Sequence, residues 1–184
     1  MAETSIDDAP LDEPGPRSAR LETVEEVART YFDAVSRRDP DAMAECWHAD
    51  GVEDIIPLGV FRGPEAVRTL FREMFAAMPD FEFTVHRITS DEEVAAVQWR
   101  ARGTFTGASF QGIDATGRSV ELRGTDCIEV GEDGLITRNT AAYDGAAFAR
   151  SIGMLPPMES AADNAVKVAF NALTKVRGAV KGLR

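Results

Sequence analysis

The chain has 184 residues, of which 44% are apolar and 28% charged, and a formal net charge of −11. That length suits one domain with its own core, and the acidic surplus disfavours a nucleic-acid surface. No apolar run reaches the length of a membrane span, and the acidic start MAETSIDDAPLDEPGPRSAR lacks the apolar stretch of a secretory signal. A soluble, cytoplasmic protein with no nucleic-acid or membrane partner is therefore expected.

Residues 1–20 hold several acids, three prolines and almost no large apolar side chains, which predicts a disordered acidic tail. Thr23 followed by Glu26 reads as a capping box, and Val24, Val27, Ala28, Tyr31 and Val35 mark the buried face of the helix behind it. Asp39-Pro40 opens a short second helix carrying Met43, Cys46 and Trp47. VEDII, residues 52–56, reads as a strand with Val52, Asp54 and Ile56 on one face. Gly63-Pro64 opens a third helix with Val67, Leu70, Phe71, Met74, Phe75 and Met78 along its stripe.

From Phe81 the apolar period drops to two. FEFTVHRI (81–88), VAAVQWRARGTF (94–105), SVELRGTDCIEV (119–130) and LITRNTAAY (135–143) read as four strands in meander order. GEDG between the last two is a hairpin turn, and glycine-rich TGASFQGIDATGR predicts a bend between the pairs. Such strands form a twisted antiparallel sheet, one face of which the preceding helices must cover. A short helix follows Asp144, and residues 159–180 form a last amphipathic helix with Ala162, Ala165, Val166, Ala169, Phe170, Leu173 and Val176 on one face.

Strand parity selects the chemistry. In residues 119–130 Asp126 shares its face with Val120, Leu122, Ile128 and Val130. A carboxyl among aliphatic side chains resists ionisation and can serve as acid or base near neutral pH. Asp54 makes a similar case on the shorter strand, with Glu53 taking its place if the register slips by one. Tyr31 on the first helix needs a partner for its hydroxyl or can donate to a developing oxyanion. Asp144 caps a helix, and its ionised carboxylate is a second candidate base. His48 is placed at a helix end, and Trp47, Phe83, Trp99, Phe105 and Phe110 are candidate pocket residues beside a packing role in the core. Two cysteines and two histidines without ligand spacing predict no metal.

The motifs YFDAVSRRDPDAM, FRGPEAVRTLF, FAAMPDFEF, RGTFTGASFQGIDATGRSV and DCIEVGEDGLITRNTAAYDGAAFARSIG, in that order, resemble the nuclear-transport-factor-2-like superfamily and, within it, SnoaL-like polyketide cyclases. The resemblance runs from about Thr23 to Pro157. It implies an α+β fold: a cone-shaped barrel of a curved antiparallel sheet packed against three N-terminal helices. Residues 21–157 would form that domain, and 158–184 an added C-terminal amphipathic helix. It also implies cofactor-free acid–base chemistry on a hydrophobic ring or polyketide-like carbonyl compound, and a homodimer. Asp144 matches the general acid/base of the cyclases. ARTYFDAVSRRDPDAM, DGVEDIIPLG and TDCIEV resemble ketosteroid isomerases, which implies oxyanion-hole roles for Tyr31 and Asp126 and proton shuttling for Asp54. Phe105 stands where many cyclase-like members carry histidine. Asn139 and Thr140 stand where aromatic residues or histidine are common, which places Asn139 among the ligand-facing residues. Members of this superfamily that bind ligands or partners without catalysis give the alternative reading, a small-molecule binding or dimeric interaction module.

Overall fold

The computed structural model describes residues 16–181, with side chains described for 24–175. Most of the expected tail, residues 1–15, lies outside the described residues. Helix α1 spans Pro16–Arg37. Thr23 therefore sits inside it, and the expected capping box does not open it. The residues that matter for the core hold their predicted face: Val24, Ala28, Tyr31 and Val35 are buried at spacings of three and four. Helix α2, Pro40–Glu45, starts as expected, with the Asp39 carboxylate accepting the Ala42 N–H at 3.0 Å.

Strand β1, Trp47–Ile56, begins earlier than the sequence predicts. Trp47 and His48 lie on this strand, which corrects their assignment to a helix. Its pairing is interrupted between Trp47 and Val52, where a Cβ on Gly51 would come within 2.8 Å of the Trp47 ring. Beyond that irregularity Glu53 and Ile55 face inward, Asp54 faces the other way, and Ile56 is half exposed. The inward acid of β1 is thus Glu53, and the expected inward position of Asp54 is corrected by one residue.

A short strand β2, Gly59–Arg62, leads into helix α3, Gly63–Ala77. Strands β3 (Glu82–Ser90), β4 (Val94–Thr104), β5 (Ser119–Val130) and β6 (Ile136–Tyr143) form the predicted meander. The six strands make one sheet in the order β2-β1-β6-β5-β4-β3. All neighbours are antiparallel except β1 and β6, which run parallel. The sheet is therefore mixed, not purely antiparallel, because β1 returns alongside the last strand through the intervening chain. It does not close, and helices pack on its inner face as in a cone-like α+β fold.

The segment after β4 is pinned to the end of α3, where Gly107 and Ala108 donate backbone N–H bonds to the Ala77 and Ala76 carbonyls at 2.9 and 3.0 Å. Helix α4, Gly145–Ser151, follows Asp144, and helix α5, Ala161–Lys181, ends the described chain.

Candidate active site

Five inward side chains from five elements meet at one end of a cavity. Tyr31 comes from α1, Glu53 from β1, Trp99 from β4, Asp126 from β5 and Asn139 from β6. The parallel register sets Glu53 beside Asn139, and the antiparallel registers set Asp126 beside Val97 and Ala141. Glu53 is completely buried, Asn139 1% exposed and Asp126 5% exposed.

Asn139 joins the two acids. Its Nδ2 donates to Glu53 Oε1 at 3.0 Å and to Asp126 Oδ2 at 2.7 Å. Trp99 Nε1 donates to the other Asp126 oxygen at 2.6 Å, and the Tyr31 hydroxyl donates to Glu53 Oε2 at 3.4 Å. No guanidinium or ammonium is among these partners. Buried carboxyl groups in that position favour the neutral form. Burial raises the Asp126 carboxyl to about 6, against the bonds from Asn139 and Trp99 that hold it down. Burial and then the Asp126 charge raise Glu53 well above the usual carboxylate range, opposed by the bonds from Asn139 and Tyr31. Two acids this close do not both ionise readily, so the pair titrates as a unit.

The cavity is half-enclosed and holds about 100 Å³. Tyr31, Glu53, Trp99 and Asp126 contribute to its lining, and Phe32, Phe71, Met74, Phe81, Phe83, Phe110 and Leu122 supply apolar walls. The rings pack on one another: Phe83 stacks on Phe32 at 5.5 Å and lies 5.2 Å from Trp99. A few convergent polar groups within apolar walls are the usual make-up of a small-molecule site.

Among the residues expected from sequence, Tyr31, Asp126, Phe83, Trp99 and Phe110 reach this cavity. Asn139 holds the acids from behind. Trp47 is buried with its ring 5.9 Å from that of Tyr31, and Phe105 is buried too, but neither lines the cavity. Two expected placements are corrected, and a third residue keeps its expected cap without lining the cavity. Asp54 is on the opposite strand face from Glu53. His48 is on β1 and does not line the cavity. Asp144 is exposed and caps α4, accepting the Ala146 and Ala147 N–H groups at 2.9 Å. It borders a separate hollow with His86, Gln98, Arg123 and Thr125. The bridging of two acids by Asn139 has no signature in sequence, because it depends on β1 and β6 lying side by side across 86 residues.

Solved structures share this architecture. AclR, a candidate hydroxylase from Streptomyces galilaeus, matches at 18% identity and a TM-score of 0.65 over 88% of this chain and 96% of its own. A candidate polyketide cyclase from Xanthomonas campestris matches at 20% identity and a TM-score of 0.63, covering 73% of this chain and 99% of its own. A candidate ketosteroid isomerase from Kribbella flavida matches at 22% identity and a TM-score of 0.52, covering 67% and 78%. At such identities the likeness is one of fold. No protein of curated function matches the sequence. The family model of the SnoaL-like domain matches residues 28–139, a span that includes Tyr31, Glu53, Trp99, Asp126 and Asn139. The chain belongs to the SnoaL-like domain family.

Proposed function

We propose that the protein is a cofactor-independent acid–base enzyme that moves a proton next to a carbonyl on a hydrophobic ring or polyketide-like compound, with cyclisation or isomerisation as the outcome. The observation that carries this reading is the Glu53–Asn139–Asp126 bridge at an apolar cavity. Asp126, held as an anion by two N–H donors, is the base. It removes a proton from carbon, and the electron pair moves onto the carbonyl oxygen. Neutral Glu53 donates to the enolate oxygen that forms, and the Tyr31 hydroxyl, turning from Glu53, donates to it as well. Protonated Asp126 then returns its proton to another carbon, or the enolate carbon attacks a second carbonyl of the same molecule and the alkoxide that forms takes the proton from Asp126. A dry site strengthens each of these interactions relative to water. Ketosteroid isomerases set the precedent for one part of this chemistry, a buried carboxylic acid that stays neutral and donates to an oxyanion.

The test is hydrogen–deuterium exchange at the carbon next to the carbonyl in a panel of hydrophobic cyclic ketones in heavy water, followed by mass spectrometry. The wild-type protein is expected to accelerate exchange, and Asp126→Asn to lower the rate by about a hundred- to ten-thousand-fold. Tyr31→Phe and Glu53→Gln are each expected to cost about a hundredfold or more. Wild-type rates in all three variants overturn the assignment. Tight binding of a ketone with no exchange by the wild type assigns the cavity to ligand carriage instead.

A further inference from the structure

Nine large apolar side chains are exposed among the described residues, and seven of them lie between Met154 and Leu173. They are Met154, Leu155 and Met158 in the connection before α5, and Val166, Val168, Phe170 and Leu173 on it, the last four being 55–69% exposed. Within the described part of α5 only Asp163 is buried. It ties the start of the helix down by accepting the Glu159 N–H at 3.1 Å and pairing with Lys167 at 2.7 Å. None of the described residues covers the apolar face.

The width and charge of α5 indicate what does. At about 100° per residue, Val168 and Phe170 stand about 200° apart around the helix, with Ala165, Val166, Ala169 and Leu173 between them. Asn164, Lys167, Asn171, Thr174 and Lys175 fill the remaining arc. An apolar arc wider than half the circumference exceeds the narrow seam that one partner helix covers. It suits a helix lying in the plane of a lipid interface. The charge of the segment is also unlike that of the rest. Beyond residue 160 the sequence has one acid, Asp163, and the bases Lys167, Lys175, Arg177, Lys181 and Arg184, in a chain whose net charge is −11. Bases concentrated beside an apolar face favour an anionic surface.

We propose that α5, with the apolar residues leading into it, is a peripheral docking element for an anionic lipid bilayer. The expectation of no membrane partner rests on the lack of a spanning segment, and no helix among the described residues is long and apolar enough to cross a membrane. Docking of this kind needs no span.

Sedimentation of the full chain with vesicles tests this. One set is phosphatidylcholine alone, and the other includes about one-third phosphatidylglycerol. The protein is expected to sediment with the anionic vesicles at low salt and to be released at high salt. Phe170→Glu with Leu173→Glu is expected to lower binding at least about tenfold with the mass in solution unchanged. Lys175→Glu, which leaves the apolar face and the Asp163–Lys167 pair intact, should weaken binding to the anionic vesicles only. No sedimentation of the wild type overturns the proposal, as does equal binding to both lipids. A fall in solution mass in the Phe170/Leu173 variant overturns it too, by assigning the face to a second copy of the chain.

Discussion

One amide governs how the two buried acids behave. Asn139 gives its two N–H bonds to two different carboxyl groups, so it fixes their separation and supplies the only side-chain donor that they share among the described residues. Its bond to Asp126 favours the anion, as does that from Trp99. Asn139→Leu is close in size and lacks the donors. It should move the Asp126 titration upward from about 6, because burial remains and one stabilising bond is lost. The acid limb of the exchange rate against pH is expected to shift to higher pH by about one unit or more, given the roughly 1.5–3 kcal/mol of a charge-assisted bond. An unshifted profile with a lowered plateau would show that Asn139 acts through packing alone. The same residues mark how far the sequence can be read. Asp126 is legible because five aliphatic or small neighbours share its strand face without interruption. Glu53 is not, because VEDII offers an apolar residue on either face. Only the pairing with β6, which sets Glu53 beside Asn139 and is invisible in the letters, decides the parity.

At the level of elements, the indole of Trp99 depends on a missing side chain across the hairpin. Trp99 on β4 faces Gly124 on β5 in register. A Cβ on Gly124 would lie 2.6 Å from the indole Cη2 and 2.7 Å from the Ala142 carbonyl oxygen. Neither the ring nor the β6 backbone can yield without cost, since both sit in packed surroundings. Gly124→Ala is therefore expected to displace the indole, break its bond to Asp126 and lower stability by about 1–3 kcal/mol. Tryptophan fluorescence should report the displaced ring, and urea unfolding the lost stability. A variant with native fluorescence and an unchanged midpoint would remove Gly124 from the site's support. The four-strand meander carrying this pair is readable because its strands alternate and follow one another in sequence. The β1–β6 pairing is not, since parallel neighbours carry no turn signal between them. Asp144 illustrates the reverse case: its cap chemistry is legible from its place before a helix, and that same geometry directs its carboxylate to the α4 N–H groups and away from the cavity.

For the molecule as a whole, buried and surface acids pull the pH dependence of folding in opposite directions. Asp80, Asp91 and Glu121 are held below the ordinary range, the first two by hydrogen bonds and Glu121 by its bond to Arg100. Stability from such groups is present above their unfolded values and is lost as the pH falls through their folded ones. Asp126 has the opposite sign. Its folded value of about 6 exceeds the ordinary 3.8, so between those values the native state binds more protons than the unfolded chain. Its contribution is full below 3.8 and declines as the pH rises toward 6, a change on the order of 3 kcal/mol. Glu53 shifts in the same direction and extends the decline to higher pH. Repulsion within a chain of net charge −11 adds to it. The stability maximum is therefore expected on the acidic side of neutrality, where the surface carboxylates are already ionised and the buried pair still holds its protons. Urea midpoints measured from about pH 4 to 8 should fall across that range for the wild type and fall less steeply for Asp126→Asn. A wild-type midpoint that rises toward pH 8, or a variant with the same slope, would mean that these acids are charged in the folded protein and that the cavity is wet.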